Sequence, residues 1–303
     1  MGRDSRTSSG NRRSVTRAVS GEAAVHVGLL RADDQDRSAE MKDTGCDTML
    51  LVPPQECSQR RREYFARANR ILGTYSVVSA YSHFGQQAVD AAMAKAGRGD
   101  DTPIRVDIGG HLWMTRFGAA KRMFAGAGAE LANQCFLMTY GNFEAFLTDL
   151  IHDALQAQGS GDPVHESIGM MMGCSWEGKL DRIGKKLGFG LGKGIRAEGF
   201  AGVEMEIMGR RCDDPAHLLE GCADLRHRLV HGSGCIDKAL LTRYPSSGRA
   251  EGEPIQLPMT MPFSLHTVFL VPLTDVIDAA FCRKFGWPRD TVAVETLVGF
   301  TAT

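Results

Sequence analysis

Apolar residues in this chain fall into long stretches of helical spacing separated by polar, glycine-rich segments. From Arg60 to about Ala96, the residues Phe65, Ala68, Leu72, Tyr75 and Ser79 recur three and four positions apart, a spacing that turns one helix face into a core. A second long helix is predicted from about Ala119 to Ala157, where Leu131, Cys135, Met138, Phe143, Phe146, Leu147, Leu150, Ile151 and Ala154 keep the same period. Gly141 and Asn142 interrupt its stripe and predict a bend or a close helix crossing. Between the two helices, Gly97, Gly99, Pro103, Gly109 and Gly110 mark a loop, with IRVDI as a short edge strand.

A later helix has clear boundaries. Asp214 suits its N-cap, Pro215 its first position, and Gly232 with Gly234 its end; Leu218, Cys222, Leu225 and Leu229 form its core stripe. A Pro- and Gly-rich loop from Tyr244 to Pro258 leads to a final helix predicted from Pro272 to Phe285, with Leu273, Val276, Ile277, Ala280 and Phe281 inward. With no internal repeat and few, long, loop-separated helices, the expected architecture is an all-α helical bundle. Residues 1–58 are rich in Arg, Ser, Asp and Gly. They offer too little apolar surface to offset the entropy of ordering, so they are expected to be a disordered tail, or an over-extended gene start with Met41 or Met49 nearby. The expected domain is therefore 59–286, with 287–303 as a C-terminal tail.

Charge narrows the function classes. The formal net charge is -1, so the whole-molecule field does not advertise nucleic acid or membrane binding, and any such role must come from a local patch. No apolar run reaches about eighteen residues, and no membrane span is expected. Eight cysteines show no CxxC pair and no signal peptide precedes them; they read as reduced packing residues of a cytoplasmic protein.

Cations do cluster in two places. KLDRIGKKLGFGLGKGIR carries Lys179, Arg182, Lys185, Lys186, Lys193 and Arg196 against Asp181 alone, which suits phosphate contact through side chains and glycine-freed amides, or a solvated loop. Its GxGxxA match at Gly192, Gly194 and Ala197 lacks a preceding buried strand and a βαβ pattern, so a nucleotide fold is rejected. The second cluster is LRHRLVHG, Leu225 to Gly232, at the end of the Asp214 helix. On an ideal helix Arg226 flanks the apolar stripe, and His231 stands about 140° away, on the side of His227.

Three readings of LRHRLVHG stand. His227, Arg228 and His231 fit a solvated helix end, with His231 favoured by the C-terminal dipole. His227 and His231 at i, i+4 share a face as zinc ligands do, but Arg228 occupies the position where HExxH has its glutamate, and no metal site is expected. The third reading is a resemblance. RHRLVHG, Arg226 to Gly232, resembles the arginine–polar–three residues–histidine signature of HEPN domains. FEAFLTDLI, Phe143 to Ile151, resembles the second-helix segment of several HEPN families.

The resemblance covers about Arg60 to Gly286 and implies a HEPN-like bundle of two long helices, a motif-bearing helix and a closing helix. It implies a metal-independent endoribonuclease that needs no cofactor and acts as a homodimer on RNA, of the kind found in toxin and antiviral defence systems. An antitoxin or other protein partner is a further expectation. Carried over by position, the catalytic pair is Arg226 and His231. His227 holds the polar position, where Asn or Asp is more usual, and Glu144 is the acidic residue of the second helix. Arg228 and the six cations between Lys179 and Arg196 are the expected nucleic-acid contacts. A non-catalytic HEPN-like module that binds RNA or protein is the alternative, since a fold does not compel an activity.

Overall fold

The structure is a computed structural model, and it describes residues 51–96, 99–108, 111–173, 175–192, 195, 205–207, 210–212, 214–232 and 234–295. Helix α1 (Gln59–Ala96) and helix α2 (Phe117–Ala157) are joined through a two-stranded hairpin, β2 (Pro103–Ile108) with β3 (His111–Arg116). The long helices run antiparallel, because Arg60 at the start of α1 pairs with Asp153 near the end of α2, while Val89 near the end of α1 packs with Phe117 at the start of α2. The sequence places the strand IRVDI within β2; its partner β3 lay in what reads as loop.

Helix α2 is the central element. Phe136, Tyr140, Phe143, Leu147 and Leu150 are buried at four- and three-residue spacing, and Ala132, Asn142, Phe146 and Ile151 widen that stripe to most of the helix circumference. An arc so wide needs cover on several sides. It is packed by α1, by α3 (Pro163–Met171), by α4 (Trp176–Leu187), by α5 (Pro215–His231) and by α7 (Met261–Phe285). The short helix α6 (Lys238–Arg243) follows α5, and β4 (Met205–Ile207) pairs with β5 (Arg210–Cys212). The described residues are thus mostly helical, in a bundle around α2. At Asn142, where the sequence predicts a crossing or bend, Nδ2 donates to the Tyr64 carbonyl of α1 at 3.0 Å.

Two elements differ from expectation. The final helix starts at Met261, eleven positions ahead of Pro272, and holds a π-helical turn at Leu265–Leu270. Proline normally breaks a helix interior because it lacks an N–H and crowds the carbonyl four residues back. Here the turn just before it is widened, with the Val271 N–H bonded to the His266 carbonyl five residues earlier, and the helix continues through Pro272. This is the helix among the described residues that is long and apolar enough to cross a membrane by length and composition; its Leu265, Phe269, Leu270, Leu273, Ile277 and Phe281 face the bundle core.

The second difference lies at the boundaries drawn at residues 58 and 287. Strand β1 (Leu51–Cys57) pairs antiparallel with β6 (Asp290–Glu295), so both segments beyond those boundaries carry structure. A partly buried ionic cluster clamps this ribbon to the helices. Asp278 of α7 is fully buried, accepts hydrogen bonds from the Ser58 N–H at 3.0 Å and from the Ser58 hydroxyl, and pairs with Arg289 at 3.2 Å. Asp275 pairs with both Arg61 at 2.7 Å and Arg289 at 2.6 Å, and both guanidiniums reach the Glu56 carbonyl. Residues 1–50 and 296–303 lie outside the described residues.

Candidate functional site

Helix α5 is set in place at both ends. The Asp214 carboxylate accepts from the N–H groups of Ala216 at 2.7 Å and His217 at 3.4 Å, and Pro215 takes the first position, where its missing N–H is no loss. At the other end the Arg228 carbonyl accepts from the N–H of both Gly232 and Gly234. Gly234, at φ +68, is the residue that turns left-handed, which explains why two glycines follow His231.

Burial along α5 follows the predicted stripe through Leu218, Cys222 and Leu225, while Leu229 is half-buried at the core's edge. The same register carries the charged residues outward in a graded way. Arg226 is half-buried, and His227 and His231 are exposed. The two imidazoles lie against each other, ring centroids 5.2 Å apart and inclined at 50°, as i, i+4 spacing requires.

Arg226 meets Glu144 of α2, its Nε 3.3 Å from Glu144 Oε2. Burial pushes the Glu144 carboxyl above its ordinary range, and the charges of Arg226 and Lys179 offset only part of that. One turn earlier on α2, Tyr140 OH accepts from Trp176 Nε1 at 2.7 Å and donates to the Leu219 carbonyl of α5 at 3.4 Å. Burial, then the neighbouring Cys222 and Glu144, raise the Tyr140 phenol well above its usual value, so it stays a neutral hydroxyl. Tyr140 and Glu144 therefore hold α5 against α2 at two successive turns and fix where the Arg226 guanidinium stands.

Four of the other predicted cations have partners inside the chain. Arg228 pairs with Asp237 at 2.5 Å, and the other Asp237 oxygen caps α6 by accepting from the Leu240 N–H at 2.9 Å. Lys179 is buried, its Nζ 4.6 Å from the centroid of the Trp176 ring. Arg182 donates to the carbonyls of Gly169 and Met172, both at 3.2 Å, which ties α4 to the end of α3. Lys186 pairs with Glu166 at 2.7 Å, and Lys185 is exposed. Lys193 and Arg196 lie outside the described residues. The Gly-rich turn after α4 opens with Gly188 at φ +74, a backbone state that glycine adopts without strain.

So the structure brings together Glu144, Arg226 and Lys179 on one side, and His227 with His231 on another. Among the described residues Arg226 and His231 make no contact with each other. Trp176 and Tyr140 support the first group and carry no signal beyond apolar periodicity in the sequence. Asp237 was not singled out in the sequence, either as the cap of α6 or as the counterion of Arg228. Among the described residues no cluster of three or more His, Cys, Asp or Glu side chains is placed to hold a metal ion. No protein-family model matches the chain, and neither a curated protein nor a solved structure matches it.

Proposed function

We propose that this chain is a HEPN-type, metal-independent endoribonuclease whose site is completed by a second copy. The observation that carries the reading is the Glu144–Arg226 pair: an acid on the second long helix holds the motif arginine at the surface, five residues before an exposed histidine on the helix's last turn. Both belong to the segments whose sequences resemble that family.

RNA supplies its own nucleophile. His231 is the base that takes the proton of the 2′-hydroxyl. The 2′-oxygen attacks the adjacent phosphorus, the 5′-oxygen leaves and receives a proton, and the products are a 2′,3′-cyclic phosphate and a 5′-hydroxyl end. Arg226 stabilises the charge that builds on the phosphoryl oxygens, and Glu144 positions it. His231 stands about 140° around the helix from Arg226. Two chains related by a two-fold axis bring the arginine of one beside the histidine of the other. His227 shares the His231 face and is an additional donor or acceptor beside the cleft. The pairing of Arg228, Lys179, Arg182 and Lys186 within the chain leaves Lys185 as the described cation of the basic segment best exposed for phosphate contact.

The test is cleavage of labelled single-stranded RNA and tRNA in the presence of EDTA by wild type and His231→Ala. Wild-type cutting with 2′,3′-cyclic phosphate ends, lost in the variant and on substrates lacking the 2′-hydroxyl at the cut, supports the reading. RNA binding without cleavage would assign the chain to the non-catalytic class, and loss of cutting on chelation would overturn the metal-independent mechanism.

A further inference from the structure

Helices α1 and α2 do not close against each other along their whole length. A groove of about 510 Å³ lies between them, within the size range of small-molecule sites. Its walls are mostly apolar, with Ile71 and Val78 from α1 and Leu131 and Met138 from α2; Thr74 and Gln134 are exposed polar members of the lining. Val78 and Met138 remain exposed although both belong to this apolar strip. Two of the polar groups nearby are engaged by the protein. Tyr75 OH donates to the Met259 carbonyl at 2.9 Å and Asn142 Nδ2 donates to the Tyr64 carbonyl, while Asn142 Oδ1 is buried without a partner.

Charge is placed at one end only. Arg67 and Arg70 stand one turn apart on α1 and line the groove, whereas Val78 lies about 12 Å beyond Arg70 along the helix axis. Arg67 shares its charge with Asp149 at 3.3 Å. Arg70 is exposed and forms no ion pair among the described residues.

We propose that this groove binds a small monocarboxylate with a single apolar chain, the carboxylate at Arg70 and Arg67 and the chain along Ile71, Val78, Leu131 and Met138. Guanidinium binds carboxylate through paired, charge-assisted hydrogen bonds, and the walls supply apolar contact but no second charge. A neutral or cationic amphiphile of equal length satisfies the walls and not the rim. The site is separate from Arg226 and His231, and does not depend on the nuclease reading.

Calorimetric titration of the full chain with dodecanoate, kept below its micelle concentration, tests this. The expected result is one saturable site, with dodecanol and dodecyltrimethylammonium weaker by about tenfold or more. Arg70→Glu weakens dodecanoate by a similar factor, and Ala145→Phe, which fills the groove, blocks it, with helical circular dichroism retained. Arg70→Glu lies at the surface and keeps the test valid if Ala145→Phe fails to fold. Equal binding of the three amphiphiles, unchanged binding to Arg70→Glu, or absence of a saturable site overturns the proposal. So does dissociation of a dimer as dodecanoate is added, which would assign the groove to a second copy of the chain.

Discussion

Glu144 and Arg226 lie on different helices, 82 sequence positions of fold apart in effect but 3.3 Å apart in space, with 24% of the Glu144 side chain and 43% of the Arg226 side chain exposed. With the arginine this open to water, the pair contributes little to stability, on the order of 0–1 kcal/mol. Its consequence is directional, since it fixes one guanidinium at a surface where a phosphate can still reach it.

Glu144→Gln keeps the shape and removes the charge. Released from its partner, Arg226 samples other rotamers, and RNA cleavage is expected to slow by about tenfold to a hundredfold. The unfolding free energy should change by less than about 1 kcal/mol. Kinetics and urea unfolding on the same preparation check both halves; a loss of activity that simply follows a loss of fold would remove the positioning role.

His266 predicts an acid limb of stability. It is fully buried in the π-helical turn of α7, contacts Tyr64 OH through Nδ1 at 3.1 Å, and burial lowers its pKa from 6.5 to about 4. The folded chain thus keeps the imidazole neutral where the unfolded chain protonates it. Stability from this group is full above pH 6.5, falls as pH drops towards 4, and levels off below. The expected loss is about 3 kcal/mol. Urea unfolding between pH 7 and pH 4 should show wild type losing that much more than His266→Gln; parallel curves would contradict it.

Arg289 belongs to the segment expected to be a C-terminal tail. In the structure it answers the buried Asp278 carboxylate and the Asp275 carboxylate. Arg289→Ala leaves Asp278 with its Ser58 hydrogen bonds and the charge of Arg61 nearby, and should destabilise the fold by about 3 kcal/mol. A denaturation midpoint that does not move would restore the tail reading.

Much of the helical architecture was legible because local signals agree. The Phe65–Ser79 stripe, the Asp214–Pro215 start and the double-glycine stop each state a helix or a boundary within a few residues of sequence. What was not legible depends on distant partners. Ser58 meets Asp278 across 220 positions, and Arg289 reaches it from a polar segment just past the helix, where nothing local announces a buried partner. The π turn before Pro272 was hidden for a related reason: proline reads locally as a start signal, and only packing of Leu265, Phe269 and Leu270 into the core favours continuing the helix through it. At the site, the spacing of Arg226 and His231 was readable. The capture of Arg228 by Asp237 and of Lys179 by Trp176 was not, because a charged side chain carries no mark of whether its counterion is solvent or protein.

The most direct test of the two-chain site is activity in a mixture of two inactive proteins, Arg226→Ala and His231→Ala. If the arginine of one chain works with the histidine of the other, each mixed dimer contains one intact site. Mixing after dissociation and reassociation should then restore about a quarter of the wild-type RNA cleavage rate. A mixture as inactive as its components, under conditions where mixed dimers form and wild type cuts RNA, would contradict the account.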